Sequence, residues 1–376
     1  MIPFNKPYLS GKELHYIKES VESGKISGDG VFTKKCHAFF ENTYGFRKAL
    51  LTTSCTDALE MIAILLDIQP GDEVIAPSYT FVSTVNAFAL RGAKLVFADS
   101  RADQPNLDEN QLEALITPRT KAIIPVHYAG VACHMDAIKS LAEPHGIHVV
   151  EDAAQAIDSY YNGKPLGSIG SLSAFSFHET KNIISGEGGM LAINDEKYCN
   201  RAEIIREKGT NRSAFFRGQV DKYNWVDIGS SFLPSDLIAA FLFAQLENLK
   251  NIQEKRLNIW NQYQARLSDI AAEGHFSLPF IPSYATNNAH MFYLVCNSLA
   301  DRTALIDALK KKNILSVFHY QSLHKSPYGA SHAQTPPHLP NCDRYSDCLL
   351  RLPLYYELTT DQVDMICDEI IAHFKA

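Results

Sequence analysis

The sequence predicts an α/β protein with a mostly parallel central sheet in a large unit, residues 1–250, followed by a smaller α+β unit, residues 251–376. Three observations carry this expectation. Short apolar runs alternate with helix-patterned segments from residue 31 to about 195. From Ser235 to Glu273 the chain has neither Gly nor Pro, and apolar residues recur at helical spacing. Residues 275–376 then mix strand runs and amphipathic helices without that alternation. A chain of 376 residues, 46% hydrophobic and 20% charged, can bury two such cores.

The elements follow in order. Residues 1–30 read as an arm, with a helix over Gly11–Ser23 and a flexible Ser27-Gly28-Asp29-Gly30. Helical spacing covers Phe32–Tyr44 and Ala58–Leu66, the second closed by a Pro70-Gly71 turn. Strand runs are expected over Glu73–Ala76, Lys94–Ala98, Lys121–Val126, Ile147–Glu151, Leu172–Phe177 and Met190–Ile193. Helices over Phe81–Leu90, Asp108–Ile116 and Met135–His145 separate most of them, the pattern of βαβ units around a buried sheet. The Gly- and Pro-free stretch, with Ser235-Asp236 as its N-cap, leads from the large unit to the small one. There, strands over Met291–Val295 and Leu315–Phe318 accompany helices over Arg302–Lys312 and Thr360–Phe374.

Composition excludes several roles. Net charge is −7 and no basic run stands out, which argues against a nucleic-acid surface. No stretch reaches the roughly 18 apolar residues of a membrane span. The opening MIPFNKPYLSGKEL has no continuous apolar core of a signal peptide, so a cytoplasmic protein is expected. The eight cysteines lack a C-x-x-C pair, so neither disulfides nor a metal site is expected.

In an open parallel sheet, ligands collect beyond the carboxyl ends of the strands. Asp152, Lys181 and the loop His127–Gly130 fall there. Lys181 lies between an apolar strand and the glycines Gly186, Gly188 and Gly189. An amine and an acid delivered to the ends of two buried strands suit pyridoxal phosphate (PLP) chemistry. The amine bonds the cofactor aldehyde, and the carboxylate pairs with the ring nitrogen. Gln155, one helical turn after Asp152, is placed to reach the cofactor's phenolic oxygen. A strand end breaking into solvent, with Asp152 as a helix cap, fits Glu151-Asp152 equally well.

Thr53, Ser54 and Thr56 open a helix, whose free N–H groups suit phosphate; a plain N-cap also fits them. Ser176 offers a second phosphate donor. Phe81 has the position of a ring-stacking aromatic or of a core residue. His178, His319 and His324 are candidate polar contacts or structural histidines.

In this order, TSCTDALE, PSYTFVST, PVHYAG, VVEDAAQ, FSFHETKN and GEGG resemble the DegT/DnrJ/EryC1/StrS family of nucleotide-sugar aminotransferases. The resemblance runs from NKPYLSGKEL to the last helix, and it implies a fold type I PLP enzyme. It gives Lys181 the imine-forming role, Asp152 the pyridinium partner, Gln155 the phenolic oxygen, Phe81 the ring face and Ser176 a phosphate contact. Cys55 and Thr56 stand where the family has Gly-Thr, so Cys55 would give its backbone N–H and Thr56 its hydroxyl.

The family also implies a homodimer with shared sites. Many members read GYNYR where this chain has Gly229-Ser230-Ser231-Phe232-Leu233; Ser231 stands for the asparagine that reaches the partner's phosphate, and Leu233 replaces the arginine. REKGTNRSAFFRGQVDKYNWVDIGSSFLPSD resembles the subgroup acting on dTDP-4-dehydro-6-deoxyglucose, with L-glutamate as donor, for surface glycans such as enterobacterial common antigen. Lys25, Arg212, Arg217 and Lys222 are the expected diphosphate contacts, and His319 and His324 the sugar contacts. A 3-keto or UDP-linked sugar, and a non-catalytic regulator on the same scaffold, are the alternative readings.

Overall fold

A computed structural model describes residues 1–334 and 338–375. Its strands run β1 (Lys48–Thr52), β2 (Glu73–Pro77), β3 (Lys94–Ala98), β4 (Thr120–Ile123), β5 (His148–Asp152), β6 (Tyr160–Tyr161), β7 (Lys164–Pro165), β8 (Leu172–Ser176) and β9 (Gly189–Ile193). Then follow β10 (Phe276–Ser277), β11 (Phe292–Cys296), β12 (Val317–Phe318), β13 (Ala333–Gln334) and β14 (Leu349–Leu352). Eight of them form one sheet in the order β1-β9-β8-β5-β4-β2-β3-β13. All pairings from β8 to β13 are parallel, and β9 alone runs against both neighbours. The mostly parallel α/β sheet is therefore as expected.

Strand residues alternate between two apolar cores, because successive side chains leave opposite faces of a sheet. Leu50, Val74, Ala76, Leu172, Leu191 and Ile193 pack on one face with the helices Cys55–Leu65 and Ser83–Ala89. Ala49, Leu51, Ile75, Phe175, Met190 and Ala192 pack on the other with the helices Val31–Tyr44 and Asp236–Glu247. A third core joins the helices Leu249–Ala272, Leu299–Lys311 and Thr360–Lys375 to a four-stranded antiparallel sheet, β10-β11-β14-β12.

The differences from expectation have local causes. β1 and β13 lie at the two sheet edges; β13 has only two residues, and β1 runs straight into the turn before the next helix, so neither stands out in the sequence as a strand. The Gly- and Pro-free stretch is not one helix but two, Asp236–Glu247 and Leu249–Ala272, parted at Asn248. Ser235 is the N-cap residue, yet its side chain makes no cap bond. The buried Asp236 carboxylate instead accepts from Phe32 N, Thr33 N and Thr33 Oγ1 (3.3, 2.8 and 2.8 Å) at the start of another helix. Gly30 lets it approach, since a Cβ there would meet the Asp236 carboxyl.

Candidate active site

Asp152 is the last residue of β5, with Ala174 of the parallel strand β8 as its register partner. Beyond the end of β8, residues 177–188 close on themselves. Phe177 N donates to Gly188 O (2.8 Å), Ser185 N to Phe177 O (2.7 Å) and Glu179 N to Gly186 O (2.9 Å). Gly186, at φ +79°, supplies a left-handed turn that an ordinary side chain would strain. Lys181 sits on this loop, its N–H bonded to His178 O (2.9 Å).

Lys181 and Asp152 line one cavity of about 680 Å³. Ser54, Cys55, Thr56, Phe81, Gln155, Ser176, His178 and His319 line it too. Nine sequence candidates are thus brought together with Lys181. His324 lies outside: its Nδ1 pairs with Ser78 Oγ (2.7 Å) and its ring faces Asp343. Lys25, Arg212, Arg217, Lys222 and Ser231 are exposed and do not line the cavity of their own chain. Lys25 Nζ reaches Asp29 O (3.1 Å), and Arg217 pairs with Glu203 Oε2 (2.8 Å).

The electrostatics suit a covalent amine and a charge-pairing acid. Burial lowers the Lys181 pKa, against the opposite pull of Cys55 and Asp152, so the neutral nucleophile becomes more accessible. Lys181 still opens part of its surface to the cavity. Burial raises the Asp152 pKa; the Thr84 hydroxyl on Oδ2 (2.7 Å) and the Ala154 N–H on Oδ1 (3.1 Å) oppose it. A cation brought beside this carboxylate relieves that burial. Glu151, for which a strand end breaking into solvent is the alternative reading, is fully buried: it accepts from the N–H groups of Gly167, Ile169 and Gly170 and bonds His127.

At another part of the wall, the Cys55–Leu65 helix presents its N-terminus. Ser54 is its N-cap, accepting from Asp57 N (3.0 Å), so the cap reading holds, and the helix start lies on the cavity wall where a phosphate could be received. Thr56 Oγ1 donates to Ser83 Oγ (2.8 Å). Burial holds the Cys55 thiol well above its ordinary pKa, hence protonated. Phe81 is not core: it is 54% exposed, with its ring 6.1 Å from that of Tyr320. Gln155 Oε1 accepts from Ala129 N (2.6 Å) while Nε2 donates to Tyr320 Oη (2.9 Å).

The cavity residues that escaped sequence reasoning include Thr84, His290, Tyr320 and Arg351. His290 follows the segment Asn287–Ala289, which looks like a connecting loop. Its Nδ1 pairs with Asn182 Oδ1 (2.8 Å), next to Lys181, while Asn182 Nδ2 donates to Gln253 and to Asn288 O. Burial and three nearby cations put His290 well below its ordinary pKa, so the ring is neutral. His319, also neutral through burial, bonds Tyr128 Oη (2.7 Å) and stacks on Tyr320.

A model of the DegT/DnrJ/EryC1/StrS aminotransferase family matches residues 7–371. The chain belongs to that family. The Bacillus subtilis spore coat polysaccharide biosynthesis protein SpsC is 34% identical over 98% of this chain and 96% of its own. Among solved structures, Spr1654 from Streptococcus pneumoniae, known in PLP and PMP forms, superposes with a TM-score of 0.92 in the latter. That match has 26% identity over 100% of this chain and 99% of the other. DesV of S. venezuelae matches with 30% identity and a TM-score of 0.89, over 98% and 97% of the two chains.

This family member has the fold of type I PLP enzymes and is a PLP-dependent aminotransferase. Its residues fit the cofactor: an amine on a glycine-supported loop, a desolvated acid, a helix N-terminus for phosphate and an exposed aromatic share one cavity. Among the described residues no helix is long and apolar enough to cross a membrane, and no cluster of side chains could hold a metal ion.

Proposed function

We propose that this aminotransferase acts on a nucleotide-linked keto sugar, moving an amino group from L-glutamate to the 4-keto carbon of dTDP-4-dehydro-6-deoxy-D-glucose. The products are dTDP-4-amino-4,6-dideoxy-D-galactose and 2-oxoglutarate, and the role is cytoplasmic synthesis of a surface glycan precursor. The observation that carries the chemistry is the convergence of Lys181, Asp152 and the Ser54–Thr56 helix start on one cavity. Support for the carbohydrate comes from SpsC, named for polysaccharide biosynthesis, and from the likeness of residues 206–236 to the 4-amino subgroup.

When bound, PLP supplies an electron sink for the carbon that loses its proton. The Asp152 carboxylate would set negative charge against the ring nitrogen. Ser54, Cys55 N–H, Thr56 and Ser176 would hold the phosphate, and Phe81 would cover the ring. Gln155, which fixes Tyr320, would serve the phenolic oxygen. Lys181 Nζ, its neutral form favoured by burial, takes and returns the proton at the reacting carbon.

We place these groups in a large unit, 1–250, while a small unit, 251–376, adds His290, His319, Tyr320 and Arg351 to the wall. We also infer a homodimer with shared sites. The segment 212–231 exposes Phe216 (70%) and Trp225 (80%) beside Arg212, Arg217, Lys222 and Ser231, none of which faces its own cavity. The experiment is incubation of the holoenzyme with L-glutamate and, in turn, dTDP- and UDP-linked 3-keto and 4-keto deoxysugars. Mass spectrometry and NMR of the product are expected to show an amine at C4 of the dTDP sugar. An amine at C3, or turnover of the UDP sugar alone, replaces this substrate with another.

A further inference from the structure

His290 is a buried polar side chain of the cavity wall that the chemistry above leaves unused. It precedes β11, and its place is fixed from several sides. Its backbone N–H donates to Asn288 Oδ1 (3.0 Å), and its carbonyl accepts from Arg256 Nη2 (2.8 Å). Asn288 Nδ2 in turn donates to Gln155 O and Ile157 O (both 2.8 Å), on the stretch that follows Asp152. The ring reaches the other way, to Asn182, the chain neighbour of Lys181. His290 thus spans from the stretch that carries the acid to the loop that carries the amine.

The hydrogen bonds also fix its tautomer. The Asn182 amide meets Asn288 O at 2.8 Å, and a carbonyl only accepts, so the atom facing it is Nδ2. The second Nδ2 hydrogen goes to Gln253 Oε1 (2.8 Å). Asn182 Oδ1 then faces His290 Nδ1 at 2.8 Å, and because this oxygen only accepts, Nδ1 carries the ring proton. Burial first, then the charges of Lys181, Arg256 and Arg351, keep the ring neutral. Nε2 therefore holds a lone pair. Among the described residues it makes no hydrogen bond, and it opens to the cavity.

A buried acceptor without a donor is costly. Lys181 Nζ is the complement: it carries N–H groups in both of its protonation states, opens to the same cavity and, among the described residues, has no acceptor. Neutrality suits the pairing. A carboxylate in this place would trap the amine as ammonium and an imidazolium would repel it, whereas a neutral imidazole accepts from either form. We propose that His290 is a positioning residue for Lys181: its Nε2 accepts an N–H of Nζ whenever the amine is free of the cofactor, and so aims the rest of Nζ at the reacting carbon. The inference rests on the aminotransferase reading and gives its lysine a partner.

The test uses two substitutions that divide the two ring nitrogens. The short amide of H290N stands at Nδ1 and keeps the bond to Asn182, with nothing at Nε2. The longer amide of H290Q brings an acceptor oxygen to the place of Nε2 and leaves Asn182 Oδ1 without its donor. The first readout is the titration of Lys181 in cofactor-free protein, from the pH dependence of its labelling by acetic anhydride, scored by peptide mass spectrometry. Cys55, Asp152 and Arg351, the other titratable groups acting on Lys181, are the same in all three proteins. A hydrogen bond to the ammonium holds its pKa up, so H290N should titrate about one pH unit below the unaltered protein and H290Q within about 0.3. The second readout is the loss of cofactor aldehyde absorbance after adding L-glutamate to holoenzyme. H290N should lower the rate at saturation about 10-fold with KM changed less than about 2-fold, and H290Q should recover most of that rate.

The reverse ranking, or equal effects of the two variants, makes His290 only a tie to Asn182 and overturns the inference. A Lys181 titration unmoved in H290N overturns it too, because Nε2 then serves a bound substrate instead. If only one variant folds, it decides: H290N must lower the titration, and H290Q must leave it in place. If the unaltered holoenzyme accepts no amino acid, the aminotransferase reading fails by itself, and the titration of the cofactor-free proteins still decides on His290.

Discussion

Replacing Gln155 by methionine keeps the side chain's length and removes its amide. Two groups lose a partner: the Ala129 N–H, held by Oε1 at 2.6 Å, and the Tyr320 hydroxyl, held by Nε2 at 2.9 Å. The Ala129 donor is buried, and left without an acceptor it costs about 1–3 kcal/mol. The lost tyrosine bond adds about 0.5–1.5 kcal/mol. The sum, about 1.5–4.5 kcal/mol, is a large part of the roughly 5–15 kcal/mol by which domains are stable. Ala129 also stands at φ +57°, a left-handed conformation that an alanine leaves readily once its bond is gone.

Urea denaturation of the cofactor-free protein, followed by circular dichroism, should give a lower midpoint with an unchanged slope. Gln155→Glu is the control. At pH 8 its carboxylate accepts from both Ala129 N–H and Tyr320 O–H, so most of the loss should return. A Q155M midpoint equivalent to less than about 0.5 kcal/mol of change would refute the reasoning, because it would mean the amide holds nothing.

Three further outcomes follow from the same geometry. Lys181→Ala should lower turnover by at least about 10³-fold while urea stability stays close to that of the unaltered protein; single-turnover absorbance measures the first. Burial raises the Asp152 pKa, so the folded cofactor-free protein binds that proton more tightly than the unfolded chain does. The group therefore costs stability as pH climbs above the unfolded carboxyl value. Asp152→Asn should be at least as stable as the unaltered apoprotein at pH 8, with the advantage shrinking towards pH 4, yet bind PLP about 10²-fold more weakly by fluorescence titration. Asp236→Ala strands the N–H groups of Phe32 and Thr33 and should cost about 3–5 kcal/mol in urea, with Asp236→Asn costing less.

Sequence reading works best where the chemistry is local. Asp152 ends one apolar strand, Lys181 follows another on the loop beyond it, and the glycines after Lys181 announce a turn, so their convergence follows from the rule for parallel sheets. Residues that converge from afar are silent. Arg351 reads as one polar position in Leu349–Leu352, because nothing nearby reveals that β14 borders the cavity. His290 is hidden the same way, since Asn182, 108 residues away, orients it and is itself held by Gln253 of the helix Leu249–Ala272.

The surface cations mislead for the complementary reason. Arg217 stands in a segment rich in basic and aromatic residues, but its acid, Glu203, lies on the helix before it. The break at Asn248 has no Gly or Pro to mark it. Glu151 seems destined for solvent until Gly167, Ile169 and Gly170 bring three N–H groups to it.

Gly189 opens β9, and an added methyl there would run into the backbone of Ser54 and Cys55. Strand and cradle therefore touch main chain to main chain, with no side chain between them to absorb a change. Position 55, which carries a cysteine on the cavity wall, already has room for a side chain, whereas position 189 has none. In a library of single substitutions selected for growth, position 189 should tolerate no replacement while position 55 accepts several small ones, and recombination between homologues should succeed only when both segments travel together.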